Sequence, residues 1–551
     1  MRKTSRIIEK HMDQICTLQD LIRLAGSIYG DDIPVVWSRA SGKEYRRTYR
    51  QFYDDVSAVA DSLTGKGICK KNIAVMGTLD YHWLTAFLGI ISSGNVAVPL
   101  DRNDNVLEEK IRLVDLYGIY MDDAVKDREN FAAAHGIDFI LDMEECCRAA
   151  EIGEKSKNGS FLYESAPDDD AMIVFTSGTT GMSKGVVLTN RNIIANTKCG
   201  VFFLDDGIQE GGRTIPVLPP THMLQVTVGL LTPLYYGVTL CFGGGIKYIS
   251  KNMKDFRPEV MVLVPMVVEN LYEKIQIKIK KKLSERKLRA IIRFSETMRK
   301  LGIDLRYRLF REIHETFGGK LRTIVCGGSS LDADVIRGLD IYGIQVLEGY
   351  GITECSPVIS CNRKTSRLIG SVGVKAPDEF CQIKIIDGEL CVRGDIVFRE
   401  YFHNEKETIA AKPDGWFHTG DICNMDDNGY IHITGRKKNL IILSDGNNVS
   451  PEEIEGYFCG HPYIKSIFVS EHSSRRNCLV ASVHPNFEMF EEAEKMNIHV
   501  KIKEHIKEIN RRLPAFKRIG KVVFYDEDFE KTALGKIRRF KYIQENNANA
   551  G

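Results

Sequence analysis

The run Ile173-Val-Phe-Thr-Ser-Gly-Thr-Thr-Gly-Met-Ser-Lys-Gly-Val186 decides how the rest of this chain is read. An apolar, strand-like triplet, Ile173 to Phe175, opens into an unbroken Thr/Ser/Gly stretch from Thr176 to Gly181, with Lys184 just beyond. Small side chains let backbone N–H groups approach a polyanion, hydroxyls add donors, and the lysine adds charge. That chemistry suits the phosphates of a nucleotide. The spacing is not the G-x4-G-K-[ST] of the common NTPase loop, because Gly178 and Gly181 fall elsewhere and Gly185 follows the lysine.

Working outward, short apolar runs alternate with helical patterns before Gly373. Asn72–Met76, Val96–Leu100, Phe139–Leu141, Met261–Val264 and Thr323–Cys326 have buried-strand character, and Phe52–Thr64 has helical spacing. This alternation predicts βαβ units and largely parallel sheet covered on both faces. After Gly373 the pattern changes to short alternating strands, Ile383–Ile386, Glu389–Val392 and Tyr430–Thr434, between turns such as Asp387-Gly388. Antiparallel hairpins, forming a small barrel-like region, are expected there. Beyond Gly435-Arg-Lys-Lys-Asn439 comes a smaller α+β tail, in which Val500–Leu513 has helical spacing and Pro514 stops it. The fold class is therefore α/β: a large N-terminal domain over 1–435, a boundary at 436–440 and a small domain over 441–551.

With 551 residues the chain is too long for one core. Its hydrophobic content of 43% and charged content of 27% are ordinary for a globular protein, and a formal charge of +1 argues against nucleic acid as partner. Fourteen cysteines without C-x-x-C pairs read as reduced thiols of a cytoplasmic enzyme. The N-terminus has a basic start but no apolar block after it, so no secretory signal is expected. From Thr214 to Ile246 there is no acidic residue, Lys or Arg, yet four prolines interrupt the stretch. A buried core segment is expected there rather than a membrane span. The segment from Ile275 to Arg311 is basic, with Lys278, Lys280, Lys281, Lys282, Arg286, Lys287 and Arg289 close together. A solvated helical face explains it by default; the interleaved isoleucines leave weak peripheral contact with an anionic membrane open.

Thr176-Ser-Gly-Thr-Thr-Gly-Met-Ser-Lys-Gly185 resembles the signature loop of the adenylate-forming superfamily: acyl-CoA synthetases, luciferases and peptide-synthetase adenylation domains. Four further stretches resemble that family's motifs in the same order: Gly349-Tyr-Gly-Ile-Thr-Glu354, Asp414-Gly-Trp-Phe-His-Thr-Gly-Asp421, Gly435-Arg436 and Thr532-Ala-Leu-Gly-Lys536. The resemblance implies roles for each. Thr176, Ser177, Gly178, Thr179, Thr180, Gly181 and Lys184 hold phosphates. Gly328, Gly349, Tyr350, Gly351 and Thr353 surround the nucleotide, with Tyr350 stacked on adenine. Asp421 and Arg436 take the ribose. Glu354 and Thr176 hold Mg²⁺, and Lys536 is the catalytic lysine. Lys438 is the hinge, where many relatives have aspartate. Carboxylate and threonine oxygens are the hard ligands that Mg²⁺ prefers.

The resemblance also implies the reaction. ATP and a carboxylic acid give acyl-AMP and pyrophosphate, and the acyl group then passes to the thiol of CoA after the tail domain rotates, bringing Asp445 to Ser450 toward the thiol. The apolar stretch Pro219–Leu230 and the run Val264–Tyr272 are similar to those of long-chain fatty acyl-CoA synthetases, so a medium- to long-chain fatty acid is expected in a pocket including His222, Met223 and Gly327. Other readings remain: an aryl acid, a carrier-protein phosphopantetheine as acceptor, or a degenerate nucleotide-binding protein. Rival catalytic signatures are missing; Gly327-Gly-Ser-Ser-Leu331 lacks the closing glycine of a nucleophile elbow.

Overall fold

The computed structural model describes residues 11–40, 43–122, 127–143, 145–146, 161–177, 183–204, 208–443, 448–458, 461–472, 478–487, 497–531, 537–539 and 541–542. A seven-stranded sheet runs in the order Glu400–Tyr401, Ser183–Thr189, Asp170–Ser177, Val96–Leu100, Asn72–Met76, Gly118–Met121, Phe139–Ile140. Neighbours are parallel from Asp170–Ser177 to Phe139–Ile140, and the two pairings at the other end are antiparallel. A five-stranded sheet holds Val260–Leu263, Thr323–Cys326 and Gln345–Gly351 in parallel, then Val358–Cys361 and Val374–Lys375 antiparallel. Continuous apolar strands such as Val260–Leu263 and Thr323–Cys326 are buried along their whole length, as helix-covered parallel strands must be.

Helix boundaries follow their caps. Thr48 Oγ1 accepts the Gln51 N–H (3.2 Å) and the Gln51 side chain accepts the Thr48 N–H (3.0 Å), starting the helix Tyr49–Gly65. Its Val56, Val59, Ala60 and Leu63 lie on the buried face. The region after Gly373 is a four-stranded antiparallel sheet in the order Gln382–Ile386, Glu389–Arg393, Phe417–Met425, Ile431–Arg436. Residues 214–246 are mostly buried and include a π-type helix, Leu224–Leu231, then the strand Thr239–Phe242. No helix among the described residues is long and apolar enough to cross a membrane.

The tail has its own cluster of buried side chains, including Ile441, Val449, Ile454, Phe458, Val469, Ile502 and Ile506. Its helix, Ile498–Arg512, buries Ile498, Ile502, Ile506 and Ile509 at the expected spacing. A three-stranded sheet, Ile464–Glu471, Leu479–Pro485 and Ile519–Phe524, receives that face. The basic segment forms the end of the helix Pro265–Lys282 and the helix Glu285–Lys300; in the latter only Ser295 is buried. Phe294 (52% exposed) and Leu301 (69% exposed) stand among its cationic residues.

Candidate active site

The opening stretch folds as a hairpin. The strands Asp170–Ser177 and Ser183–Thr189 pair so that Thr176 faces Lys184 and Ser177 faces Ser183. Gly178, Thr179, Thr180 and Gly181 lie outside the described residues. The Ser183 N–H donates to Glu109 Oε1 (3.0 Å). The Lys184 ammonium donates to the Glu407 carboxylate and sits 5.1 Å from the centre of the Tyr401 ring. The Tyr401 hydroxyl in turn donates to Glu354 Oε1 (3.0 Å). Burial pushes the Glu354 carboxyl above the usual carboxylate range, against the hydrogen bonds it receives from its own N–H and from Tyr401.

Thr353 and Glu354 belong to a single 3₁₀ turn, Thr353–Cys355, one residue after the strand Gln345–Gly351. Tyr350, on that strand, hydrogen-bonds Asp421 Oδ2, and Asp421 Oδ1 lies 2.6 Å from Arg436 Nε. Burial first, then the Asp421 charge, keep the Tyr350 phenol protonated. The flanking glycines have a packing reason beyond open backbone. A Cβ on Gly351 would stand 2.0 Å from the Pro357 carbonyl oxygen, and one on Gly349 would stand 3.2 Å from Cys361 Sγ. Both let the strand Val358–Cys361 close against Tyr350.

Gly327 and Gly328 follow the strand Thr323–Cys326, and Gly328 takes φ +100°, which favours glycine. A Cβ on Gly327 would reach Leu224 at 3.4 Å, ordinary contact distance. His222 precedes the π-type helix, its N–H donating to the Pro219 carbonyl (3.1 Å). Burial, then the Lys110 charge, lower its pKa, so the ring is neutral. Met223 is buried beside it. Glu348, the residue before Gly349, is also buried, and burial pushes its carboxyl up to about 7.

Lys437 to Asn439 make a 3₁₀ turn between the two cores. Lys437 Nζ lies 2.8 Å from Glu389 Oε2. On the tail side, the Ser450 hydroxyl donates to the Thr434 carbonyl (2.5 Å) and Asn439 Nδ2 donates to Glu452 Oε1 (2.6 Å). A Cβ on Gly435 would come within 2.1 Å of Ser450 Oγ and displace the hydroxyl that bonds Thr434. Burial lowers the Lys438 pKa, with Arg436 adding to it. Lys536 and Asp445 lie outside the described residues. Lys531 and Ile537, which flank Lys536, are bridged to each other and line the same cavity as Lys184 and Glu354.

That cavity has a volume of about 3030 Å³. Thr176, Lys184, Tyr350, Glu354, Asp421 and Arg436 line its polar part, and Phe203, Leu204, His222, Met223, Val228 and Gly327 an apolar part. Thr353, Gly328, Gly349, Gly351 and Lys438 line it too. No group of three His, Cys, Asp or Glu side chains stands together as a metal cage among the described residues. The half-buried Glu354 carboxylate, within reach of the Arg436 and Lys184 charges, is nevertheless a donor that suits Mg²⁺, which is usually bound by one or two carboxylates together with substrate phosphates and water.

The AMP-binding enzyme family pattern matches residues 27–402, and that of the AMP-binding enzyme C-terminal domain matches residues 438–549. The chain is an AMP-binding enzyme. A long-chain-fatty-acid–CoA ligase of Mycobacterium bovis is 32% identical to it over 444 residues, 76% of this chain and 74% of that protein. The peroxisomal long chain acyl-CoA synthetase 6 of Arabidopsis thaliana is 32% identical over 364 residues, 61% of this chain and 51% of that protein. The chain thus spans about half the length of that plant relative. Among solved structures, an anthranilate CoA ligase in complex with anthranoyl-AMP superposes with a TM-score of 0.76 at 20% identity, covering 97% of this chain and 98% of that one. ATP-bound MatB from Rhodopseudomonas palustris gives 0.74 at 22% identity, covering 97% and 100%. These neighbours share the fold of this AMP-binding enzyme.

In this AMP-binding enzyme the structure brings Thr176, Lys184, Tyr350, Thr353, Glu354, Asp421 and Arg436 to one cavity, with His222, Met223 and Gly327 at its apolar side. Tyr401, Glu407 and Glu348 line it as well, and no spacing in the sequence points to them. The one local signal is Asn404, whose side chain accepts the Glu407 N–H (3.2 Å) and starts the helix Glu405–Ala411. It predicts a helix start, not a contact with a lysine 223 residues away.

Proposed function

We propose that the chain is an AMP-forming acid–thiol ligase that activates a medium- to long-chain fatty acid with ATP and Mg²⁺ and passes the acyl group to CoA. The observation that carries this reading is one cavity whose cationic and carboxylate wall continues into an apolar wall. The fatty-acid assignment draws on that apolar wall and on relatives named as long-chain-fatty-acid–CoA ligases.

Both reactants are anions, so the site must offset repulsion and hold the leaving group in line. In this reading Lys184 and the Thr176–Gly181 run hold the β- and γ-phosphates. Asp421 and Arg436 hold the ribose hydroxyls, and Tyr350 lies against the base. Glu354, with Thr176, holds Mg²⁺, which when bound supplies positive charge beside the phosphates. Lys536 neutralises the acid carboxylate and the α-phosphate as the acyl–phosphate bond forms and pyrophosphate leaves. The unit boundaries are 1–435, a hinge at 436–440 around Lys438, and 441–551, whose rotation replaces Lys536 by the Asp445–Ser450 edge for thiol attack.

The free cysteines among the described residues fit a reducing compartment such as the cytoplasm. The helix Glu285–Lys300, with exposed Phe294 and with exposed Leu301 at its C-cap, supports weak contact with anionic lipid. Carboxylate-dependent ATP–pyrophosphate exchange, run without thiol over fatty, aryl and amino acids, tests the reading. Exchange confined to fatty acids supports it, while exchange with aryl acids alone would replace the substrate class. Thioester formation with CoA against a phosphopantetheinyl carrier protein then separates the two acceptors.

A further inference from the structure

Tyr401 is the junction of the polar wall. Its strand, Glu400–Tyr401, is laid antiparallel on the phosphate-loop hairpin, with Tyr401 facing Val186 and Glu400 facing Val187. The Tyr401 N–H donates to Thr408 Oγ1 (2.9 Å), and the ring packs 4.7 Å from Phe398, centre to centre. Phe398 in turn donates its N–H to the Glu354 carbonyl (2.8 Å). The side chain is therefore clamped from several directions, with 7% of its surface exposed. From that fixed position the hydroxyl reaches Glu354 Oε1 at 3.0 Å and the ring lies beneath the Lys184 ammonium at 5.1 Å. Glu407, from the helix that follows, takes the outward side of the same ammonium.

We propose that Tyr401 is a positioning residue that couples the magnesium-holding carboxylate of Glu354 to the phosphate-holding ammonium of Lys184, and that Glu407 is the carboxylate Lys184 exchanges for a phosphate. The inference rests on the nucleotide reading of the site given above. Two functions reside in different atoms of one side chain. The O–H orients a carboxylate, and the ring face holds a cation. Glu407 is 46% exposed at its side chain, so the pairing is weak enough for a nucleotide to displace.

The atoms can be separated by mutation. Tyr401→Phe removes the O–H and keeps the ring; Tyr401→Leu removes both; Glu407→Gln removes the competing charge on an accessible helix. The readouts are calorimetric ATP binding in EDTA, calorimetric ATP binding with Mg²⁺, and the Mg²⁺ concentration giving half-maximal pyrophosphate exchange. Tyr401→Phe is expected to leave ATP affinity in EDTA within about twofold and to raise the Mg²⁺ requirement roughly tenfold, the loss expected for a hydrogen bond to a charged group. Tyr401→Leu is expected to weaken ATP binding in EDTA as well. Glu407→Gln is expected to tighten binding in EDTA by about two- to fivefold, in line with an exposed ion pair. An unchanged Mg²⁺ requirement in Tyr401→Phe, or weaker ATP binding in Glu407→Gln, overturns the inference while leaving the enzyme's reaction intact. If the unmodified chain itself binds no ATP, the nucleotide reading falls and this inference falls with it.

Discussion

Asp421 and Arg436 face each other across adjacent antiparallel strands, with Asp421 Oδ1 2.6 Å from Arg436 Nε, while Tyr350 holds the other carboxylate oxygen. The carboxylate is nearly enclosed, with 4% of its side chain exposed against 35% for the guanidinium. Removing the buried member therefore leaves less uncompensated charge than removing its partner.

Arg436→Ala strands the Asp421 charge in a buried position and is expected to lower stability by about 3 kcal/mol. It should also raise the ATP KM. Asp421→Asn, which keeps the shape, should weaken ATP binding with a smaller loss of stability. Urea melts and ATP titration of both variants check the order.

Gly351→Ala places a methyl group 2.0 Å from the Pro357 carbonyl oxygen. Backbone must shift to relieve it, at about 1–3 kcal/mol by the usual cost of overpacking. The strand bearing Tyr350 and the turn bearing Glu354 move together, so ATP affinity should fall along with the thermal midpoint.

Glu348 sets a pH dependence. Its carboxyl is raised to about 7 in the fold by burial, above the usual carboxylate range of the unfolded chain. The folded state therefore binds the proton more tightly, and stability falls as pH rises through about 7. Glu348→Gln should raise the thermal midpoint above pH 7.5 and change it little near pH 5. Equal shifts at both values would show that packing, not titration, is responsible.

Lys536→Ala is expected to slow acyl-AMP formation by about 10²–10³-fold, the cost of removing one charge-stabilising donor. Thiolation of supplied acyl-AMP should change far less. Single-turnover assays of each half-reaction give the ratio, and equal losses would remove Lys536 from the first step.

The basic surface makes a prediction about membranes. Phe294→Ser with Leu301→Ser should reduce co-sedimentation with phosphatidylglycerol vesicles, and 0.5 M NaCl should reduce it for the unmodified chain. Binding to neutral vesicles of equal strength would count against an electrostatic contact.

Much of this was legible from local pattern. A continuous apolar run marks a strand covered on both faces and a 3.6-residue period marks the buried face of a helix, so Asn72–Met76, Thr323–Cys326 and most of the helix Ile498–Arg512 could be read directly. The charge-free stretch after Thr214 was readable as core, because four prolines and the glycines Gly243 to Gly245 break it too often for a regular spanning helix. The identity and order of Thr176, Lys184, Tyr350, Glu354, Asp421 and Arg436 were visible through the resemblance of their motifs to those of the adenylate-forming superfamily.

Other relationships exist only in three dimensions. Nothing near Tyr401 in the chain distinguishes it from an ordinary strand aromatic; its meaning comes from Glu354, 47 residues away, and from a hairpin register that sets Lys184 over its ring. The resemblance places the glycines of Gly349-Tyr-Gly351 around a nucleotide, whereas their structural reason is a neighbouring strand at contact distance. Which chemical groups are present, where elements begin and which faces are apolar all depend on neighbours along the chain, and local pattern therefore reveals them. Which charges are buried and which partners they meet emerge only on folding, because burial and pairing depend on how separate strands register across space.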